Sequence, residues 1–312
     1  MRKKFIIIRL AGAAVAVALL AGLNLFAPQS VSTQPASVAV TWGLLAEVVY
    51  RLTGGEVEVV QLLPAGFEIH DWEPTPEAIR AAQRSKLVLY TFEGLDDWGV
   101  EIAESAGVKA VKVGQNLPML LERGEHGHDH GDGHDEKHQH EYDVHVWLSP
   151  VNMAKIVENV AAVLIQEFPQ KGVEIMRNRD SYLAELRTLD NELKLMLQPY
   201  RGRLFITQHD AFRYFAEHYG LRVLPVLGAE EEEPSAAQLA EVVEAIREEN
   251  VKVVYAEDGF THPVLNTLAR DTGVKIEMLY TLESLTLDDV IRGGGYVNVM
   301  RRNGEALVKG FG

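Results

Sequence analysis

The sequence predicts an α/β protein of two lobes, each a parallel sheet flanked by helices, joined by a single long helix. Three observations carry this expectation. Short runs rich in β-branched residues alternate with helix-period segments up to about residue 113, residues 150–197 read as helix, and the alternation resumes at Leu204.

In the first stretch the strand candidates are Ser37-Val-Ala-Val-Thr, Val57-Glu-Val-Val, Lys86-Leu-Val-Leu-Tyr and Val108-Lys-Ala-Val-Lys-Val, with helical patterns starting near Leu44, Pro76 and Asp97. Such alternation builds parallel βαβ units. Helix starts are marked by capping residues: Thr75-Pro76 and Ser149-Pro150 each place a hydroxyl before a proline at the first helical position, and Ser235 precedes the helix beginning at Ala236. The helical stretch is interrupted around Phe168-Pro-Gln-Lys-Gly172. Its second part, Gly172 to Leu197, repeats apolar residues at helical spacing (Val173, Ile175, Met176, Leu183, Leu186, Leu189, Leu193, Met196) without a strand break, long enough to bridge two lobes. Strand candidates then return at Leu204-Phe-Ile-Thr, Arg222-Val-Leu-Pro-Val, Val251-Lys-Val-Val-Tyr-Ala and Val274-Lys-Ile-Glu-Met-Leu. The expected organisation is a leading segment and linker over 1–35, a first lobe over 36–171 that carries a loop at 122–142, a linking helix over 172–200, and a second lobe over 201–312.

The leading segment has the layout of an export signal: Arg2, Lys3 and Lys4 precede an apolar run from Phe5 to Leu23, broken only by Arg9. No cysteine follows it to take a lipid, and Pro28 after Ala27 makes a poor cleavage junction. The protein is therefore expected to be exported, periplasmic or at the cell surface, with a removable signal or an uncleaved anchor. Composition narrows the function further. The 312 residues, 47% of them apolar, suffice for a substantial core. With 30 basic and 45 acidic residues the formal charge is −15, which repels nucleic acid and favours cations; loss of the signal's four basic residues would leave −15 − 4 = −19. The absence of cysteine excludes disulfides, thiolate zinc fingers and iron–sulfur ligation, so any site for a soft metal must use imidazole.

Histidine is where the chemistry concentrates. Six of the 11 histidines (His126, His128, His130, His134, His138 and His140) lie in Glu125–Glu141 among glycines and carboxylates, a composition that cannot pack and that supplies auxiliary, low-affinity ligands for divalent metal. His70, His145 and His209 fall at strand-to-helix crossings, where open α/β sheets bind ligands. Taken singly, each reads as a hydrogen-bonded structural histidine. Together, beside a His-rich loop, they read as a metal site. Nearness to helix N-termini predicts neutral rings free to donate a lone pair. His218 is expected to pack within a helix and His262 to cap or line a turn, while Trp72, Trp98 and Trp147 are expected to bury area around the site or core.

From about Ser37 to its end the chain resembles the zinc- and manganese-specific substrate-binding proteins of ABC importers, the cluster A-I family. The motifs that carry the resemblance are Leu62-Leu-Pro-Ala-Gly66 leading to His70, Glu73-Pro-Thr-Pro76, His145-Val-Trp-Leu-Ser-Pro150, His209-Asp-Ala-Phe with Tyr214-Phe215, Glu233-Pro-Ser235, Tyr255-Ala-Glu257, and Tyr296 followed by Met300-Arg301 and Asn303. The resemblance implies a metal bound between two lobes by His70, His145 and His209, and a role in delivering it to the membrane permease of an ABC importer, with the receptor itself expected to be monomeric. Glu283, in Thr281-Leu-Glu-Ser-Leu285, takes the place of the family's late aspartate; Glu68 and water are the other candidates for the fourth position. Three imidazoles and one oxygen suit zinc, with manganese the alternative metal. Two other readings use the same residues. A zinc-dependent hydrolase needs three histidines and an open position, with Glu73 as a base, but His140 and His145 are five apart rather than the four of a His-Glu-x-x-His helix. A surface adhesin could be built on the same fold.

Overall fold

The computed structural model describes residues 37–70, 72–121, 142–228, 233–257 and 262–312. The leading segment, the His-rich stretch from His126 to His140 and most of the acidic run from Glu230 to Glu233 therefore lie outside the described residues.

Strands β1 (Ser37–Val40), β2 (Glu58–Gln61), β3 (Leu87–Tyr90) and β4 (Lys109–Lys112) alternate with helices α1 (Gly43–Thr53), α2 (Pro76–Ala82) and α3 (Trp98–Ala106). They form one all-parallel sheet in the order β2-β1-β3-β4. After α4 (Pro150–Glu167) and a 3-10 turn at Pro169–Lys171 comes α5 (Gly172–Leu197). The second sheet is built from β5 (Leu204–His209), β6 (Arg222–Leu227), β7 (Val253–Glu257) and β8 (Lys275–Leu279), interleaved with α6 (Arg213–Tyr219), α7 (Ala236–Glu248) and α8 (Pro263–Thr272). It is also all parallel, in the equivalent order β6-β5-β7-β8. Helices α9 (Leu287–Ile291) and α10 (Tyr296–Phe311) follow. The expected fold class, two parallel-sheet lobes with a long central helix, is what the chain adopts. Among the described residues no helix is long and apolar enough to cross a membrane.

Local signals account for most boundaries. Thr75 caps α2 by accepting the Ala78 amide at 3.2 Å, and Ser235 forms a reciprocal capping box with Gln238. Ser149 departs from expectation: it occupies the N-cap position of α4 with Pro150 following, yet its hydroxyl makes no capping bond, leaving the proline's fixed φ as the start signal. In α5 the buried stripe is Ile175, Tyr182, Leu186, Leu189, Leu193 and Leu197, whereas Val173 and Met176 face solvent because they fall off that stripe.

The lobes do not have separate cores. One apolar cluster runs from β1, β3 and α1 through α4 and α5 to Phe205, Phe215, Tyr255, Tyr296 and Met300 of the second lobe, and only the far face of the second sheet has its own smaller cluster. A buried carboxylate reinforces the join. Glu47 of α1 accepts hydrogen bonds from the Tyr182 hydroxyl of α5 at 3.0 Å and from the Tyr296 amide at the start of α10 at 2.7 Å, with Arg51 beside it. Burial pushes its carboxyl above the usual value, against the opposing pull of these partners. Backbones also meet where α1 begins: a Cβ on Gly43 would stand 1.6 Å from the Leu285 carbonyl oxygen. These contacts join the two lobes through packing, hydrogen bonds and a close backbone approach.

Candidate functional site

Parallel sheets direct their strand C-termini to one edge, and His70, His145, His209 and Glu283 meet there. His209 is the last residue of β5 and Glu257 the last of β7, adjacent strands at the point where the strand order reverses. His70 lies in the segment after β2, His145 starts the 3-10 turn at Val146–Leu148 before α4, and Glu283 follows β8.

The three histidines and Glu283 converge. The Nε2 atoms of His145 and His209 are 3.3 Å apart. Glu283 Oε1 lies 3.3 Å from His145 Nε2 and 3.6 Å from His70 Nε2. The rings of His70 and His209 stand 5.5 and 5.2 Å from that of His145, centre to centre. Zinc bonds of about 2.0–2.1 Å place neighbouring ligand atoms of a tetrahedron about 3.3–3.4 Å apart, so the two 3.3 Å separations match edges of such a shell and the 3.6 Å approach of His70 is slightly longer.

Protonation sharpens the fit. The His145 Nδ1–H donates to Asp143 Oδ1 at 2.8 Å, and the His209 Nδ1–H donates to Glu257. With both outward nitrogens occupied, neutral rings would point two lone pairs at each other across 3.3 Å, an arrangement that only a cation between them satisfies. His70 adds buried nitrogens that have no hydrogen-bond partner, as does Glu283 Oε1. Glu283 is aimed by its second oxygen, which accepts the Thr281 hydroxyl at 3.0 Å. Leu282 between them takes φ +73°, strain of the kind functional sites retain.

For His145 and His209 the expectation of neutral rings from nearby helix N-termini is overturned in the metal-free state. Burial opposes a charge on His145, but Asp143 and Glu283 outweigh it and push its pKa up to about 10. His209 is also raised: burial opposes its charge, but the Glu257 carboxylate overcomes it. Burial likewise works against charge on Glu283, and the close approach of the His145 and His70 rings, at 3.3 and 3.6 Å, still holds it well below the usual carboxylate range. Two carboxylates in contact outweigh the partial charge of a helix terminus. Because the folded pKa of His145 exceeds its unfolded value, this pairing stabilises the metal-free fold fully below about pH 6.5 and is lost as pH rises toward about 10. A zinc ion held by His145 would take the place of that proton. Zinc binding at pH 7 is therefore expected to release one to two protons, about one for each raised ring, and to tighten from pH 6 to pH 9. Calorimetric titrations in two buffers of different ionisation enthalpy measure the release, and an affinity that does not change with pH would contradict it.

The other candidates fall outside the cluster. Glu68 is exposed, and its carboxylate does not group with the ligand atoms, although burial and then the charges of Glu283 and Glu257 raise its pKa. Glu73 is exposed. His218 Nε2 bonds Asp190 at 2.6 Å on the linking helix, and His262 caps α8 by accepting the Val264 amide at 3.2 Å. Trp72 and Trp98 pack edge to face, and Trp147 is buried 5.3 Å from the His145 ring. Asp143 and Glu257 are site residues that the pattern of histidines did not single out as ring partners. Asp143 carried a weak signal in its place two residues before His145; Glu257 stood in the Tyr255-Ala-Glu257 motif, but nothing in that motif pairs it with His209, 48 residues away.

A family model described as "Zinc-uptake complex component A periplasmic" matches residues 38–310. The chain is 36% identical over 273 residues to the "High-affinity zinc uptake system protein ZnuA" of Bacillus subtilis, covering 86% of each. It is 34% identical over 277 residues to the "Zinc-binding lipoprotein AdcA" of Streptococcus pneumoniae, covering 87% of this chain and 55% of that protein, and so spans about half the length of that relative. The solved Zn(II)-bound ZnuA-like domain of Streptococcus pneumoniae AdcA is 30% identical, with a TM-score of 0.71 over 88% of this chain and 98% of that one. The resemblance drawn from the motifs is thus borne out over nearly the whole described chain, which belongs to the family of zinc-uptake component A proteins.

Proposed function

We propose that this chain is an exported zinc receptor, periplasmic or surface-held, that captures one zinc ion with His70, His145, His209 and Glu283 and delivers it to the membrane permease of an ABC importer. The observation that carries the reading is the convergence of two fixed imidazole Nε2 atoms and a buried carboxylate oxygen at tetrahedral spacing. Membership of a zinc-uptake family and the names of its relatives support the cargo.

The same geometry favours a carrier over an enzyme. Three nitrogens and one carboxylate close a four-coordinate shell, whereas a catalytic zinc keeps a position open for water. Both oxygens of Glu283 are engaged, one toward the histidines and one by Thr281, so the carboxylate does not serve as a base. Manganese prefers more oxygen ligands than this cluster offers. By composition, the histidines from His126 to His140 fit the same reading as low-affinity collectors of metal.

Thermal unfolding tests the cargo. A ligand at 100 times its Kd stabilises the fold by about 2.7 kcal/mol, and for a chain of this size each kcal/mol moves Tm by about 2–4 °C. Zinc is expected to raise Tm by about 5–10 °C at an excess where manganese gives little. Equal shifts with the two metals, or a six-coordinate manganese site in protein purified from its source, would overturn the zinc assignment.

A further inference from the structure

We infer that Trp147 is a positioning residue that sets Glu283 against the metal, reaching it through Thr281 from the opposite lobe. The inference rests on the reading of Glu283 as a ligand.

The geometry runs through one line of hydrogen bonds. Trp147 is fully buried in the 3-10 turn that begins at His145, and its indole N–H donates to the Thr281 carbonyl at 2.7 Å. The Thr281 hydroxyl in turn donates to Glu283 Oε2 at 3.0 Å, which leaves Oε1 turned toward His145 and His70. Trp147 is itself held from two sides. Its carbonyl accepts the Tyr296 hydroxyl at 2.6 Å, and its ring packs edge to face on Trp42 at 4.8 Å. Tyr296 is anchored by Glu47, so the line begins at the carboxylate that joins α1, α5 and α10 and ends at the carboxylate of the metal cluster.

A buried tryptophan usually finds some acceptor, so one bond to a carbonyl would not by itself assign a role. What distinguishes Trp147 is the segment it holds. Leu282, a residue with a β carbon, sits at φ +73° between Thr281 and Glu283, a conformation that persists only where its surroundings enforce it. Two restraints flank it. Asn303 of α10 bonds both the amide and the carbonyl of Tyr280, at 2.9 and 2.8 Å, from within the second lobe. Trp147 supplies the other restraint from the first lobe, two residues from His145. Only the second depends on the lobes being together. The carboxylate is therefore oriented across the junction, by a residue of the first lobe acting on a segment of the second.

Zinc dissociation from the full chain, followed by chelator chase, tests this. Trp147→Phe keeps the aromatic packing and loses the N–H, and Thr281→Val leaves the indole in place and loses the hydroxyl. Each is expected to speed zinc release about 10- to 100-fold, the usual effect of removing a group that orients a ligand. Thr281→Ser, which keeps the hydroxyl, should restore the slow rate. The decisive comparison is the double variant: in a Glu283→Gln background Trp147→Phe should add no more than about 2-fold, because its effect passes through that carboxylate. Wild-type release from both Trp147→Phe and Thr281→Val, or an undiminished effect of Trp147→Phe in the Glu283→Gln background, would overturn the inference. Absence of tight zinc binding in the unaltered protein would instead overturn the receptor reading, and this inference with it.

Discussion

His145→Ala should all but abolish tight zinc binding, by more than the roughly 10- to 100-fold that loss of an orienting partner costs, because it removes a ligand from the centre of the cluster. Among the described residues no other histidine sits so centrally. Its Nε2 is within 3.3 Å of both His209 Nε2 and Glu283 Oε1, and its ring lies between those of His70 and His209. The substitution also leaves Asp143 and Glu283 buried without the imidazole that pairs them, and breaking a buried ion pair typically costs about 3–5 kcal/mol. The metal-free fold should therefore be weakened as well. Competition titration against a chromophoric chelator reads the first effect and thermal unfolding the second. His218→Ala serves as the control: that ring bonds Asp190 on the linking helix, away from the cluster, so it should retain zinc. Wild-type affinity in His145→Ala would remove the site from where it is placed here.

The second large effect is expected far from any histidine. Gly43→Ala adds a single carbon, but that carbon would stand 1.6 Å from the Leu285 carbonyl oxygen and 2.5 Å from its carbon. Both atoms are backbone, so no rotamer change relieves the clash and the 285–286 segment must move away from α1. Overpacking of this kind costs about 1–3 kcal/mol and at times more. Because Leu285 lies two residues from Glu283, the shift should also weaken zinc binding. Gly172→Ala is the matched control: its backbone is already helical at φ −55°, and its Cβ would make an ordinary 3.7 Å contact with Ile165, so stability should hold or improve by about 0.4–1 kcal/mol. If Gly43→Ala melts with the wild type and binds zinc as well, the lobes are not held by this backbone contact.

The two variants probe different kinds of information. His145 stands out in the sequence because imidazole beside a capped helix start, repeated at three strand-to-helix crossings, has a limited set of uses. Gly43 does not stand out, because one glycine at the start of a helix reads as permissive backbone. What makes it irreplaceable is the approach of a carbonyl from a residue 242 positions later (285 − 43). The same contrast separates the candidates for the fourth position. The sequence offers Glu283 in the place of the family's late aspartate, with Glu68 and water as the other candidates, and only the folded chain puts one carboxylate 3.3 Å from His145 and the other outside the cluster.

The sequence by itself determined the features that local chemistry decides. Strand-helix alternation set the two parallel sheets, capping residues such as Thr75 and Ser235 set helix starts, an uninterrupted apolar stripe set the long α5, and the absence of cysteine left imidazole as the soft donor. Each of these depends on residues within a turn or two of one another, or on composition alone. Tertiary structure alone decided the charge of His145 and His209, which carboxylate lies beside them and the joining of the lobes. The ring protons follow from Asp143 and Glu257, Glu283 is aimed through Thr281 and Trp147, and Glu47 ties α1 to α10. Apart from Asp143 and Thr281, these partners meet across 48 to 249 residues of chain. Electrostatic and hydrogen-bond energies depend on ångström separations, which spacing along a chain does not encode.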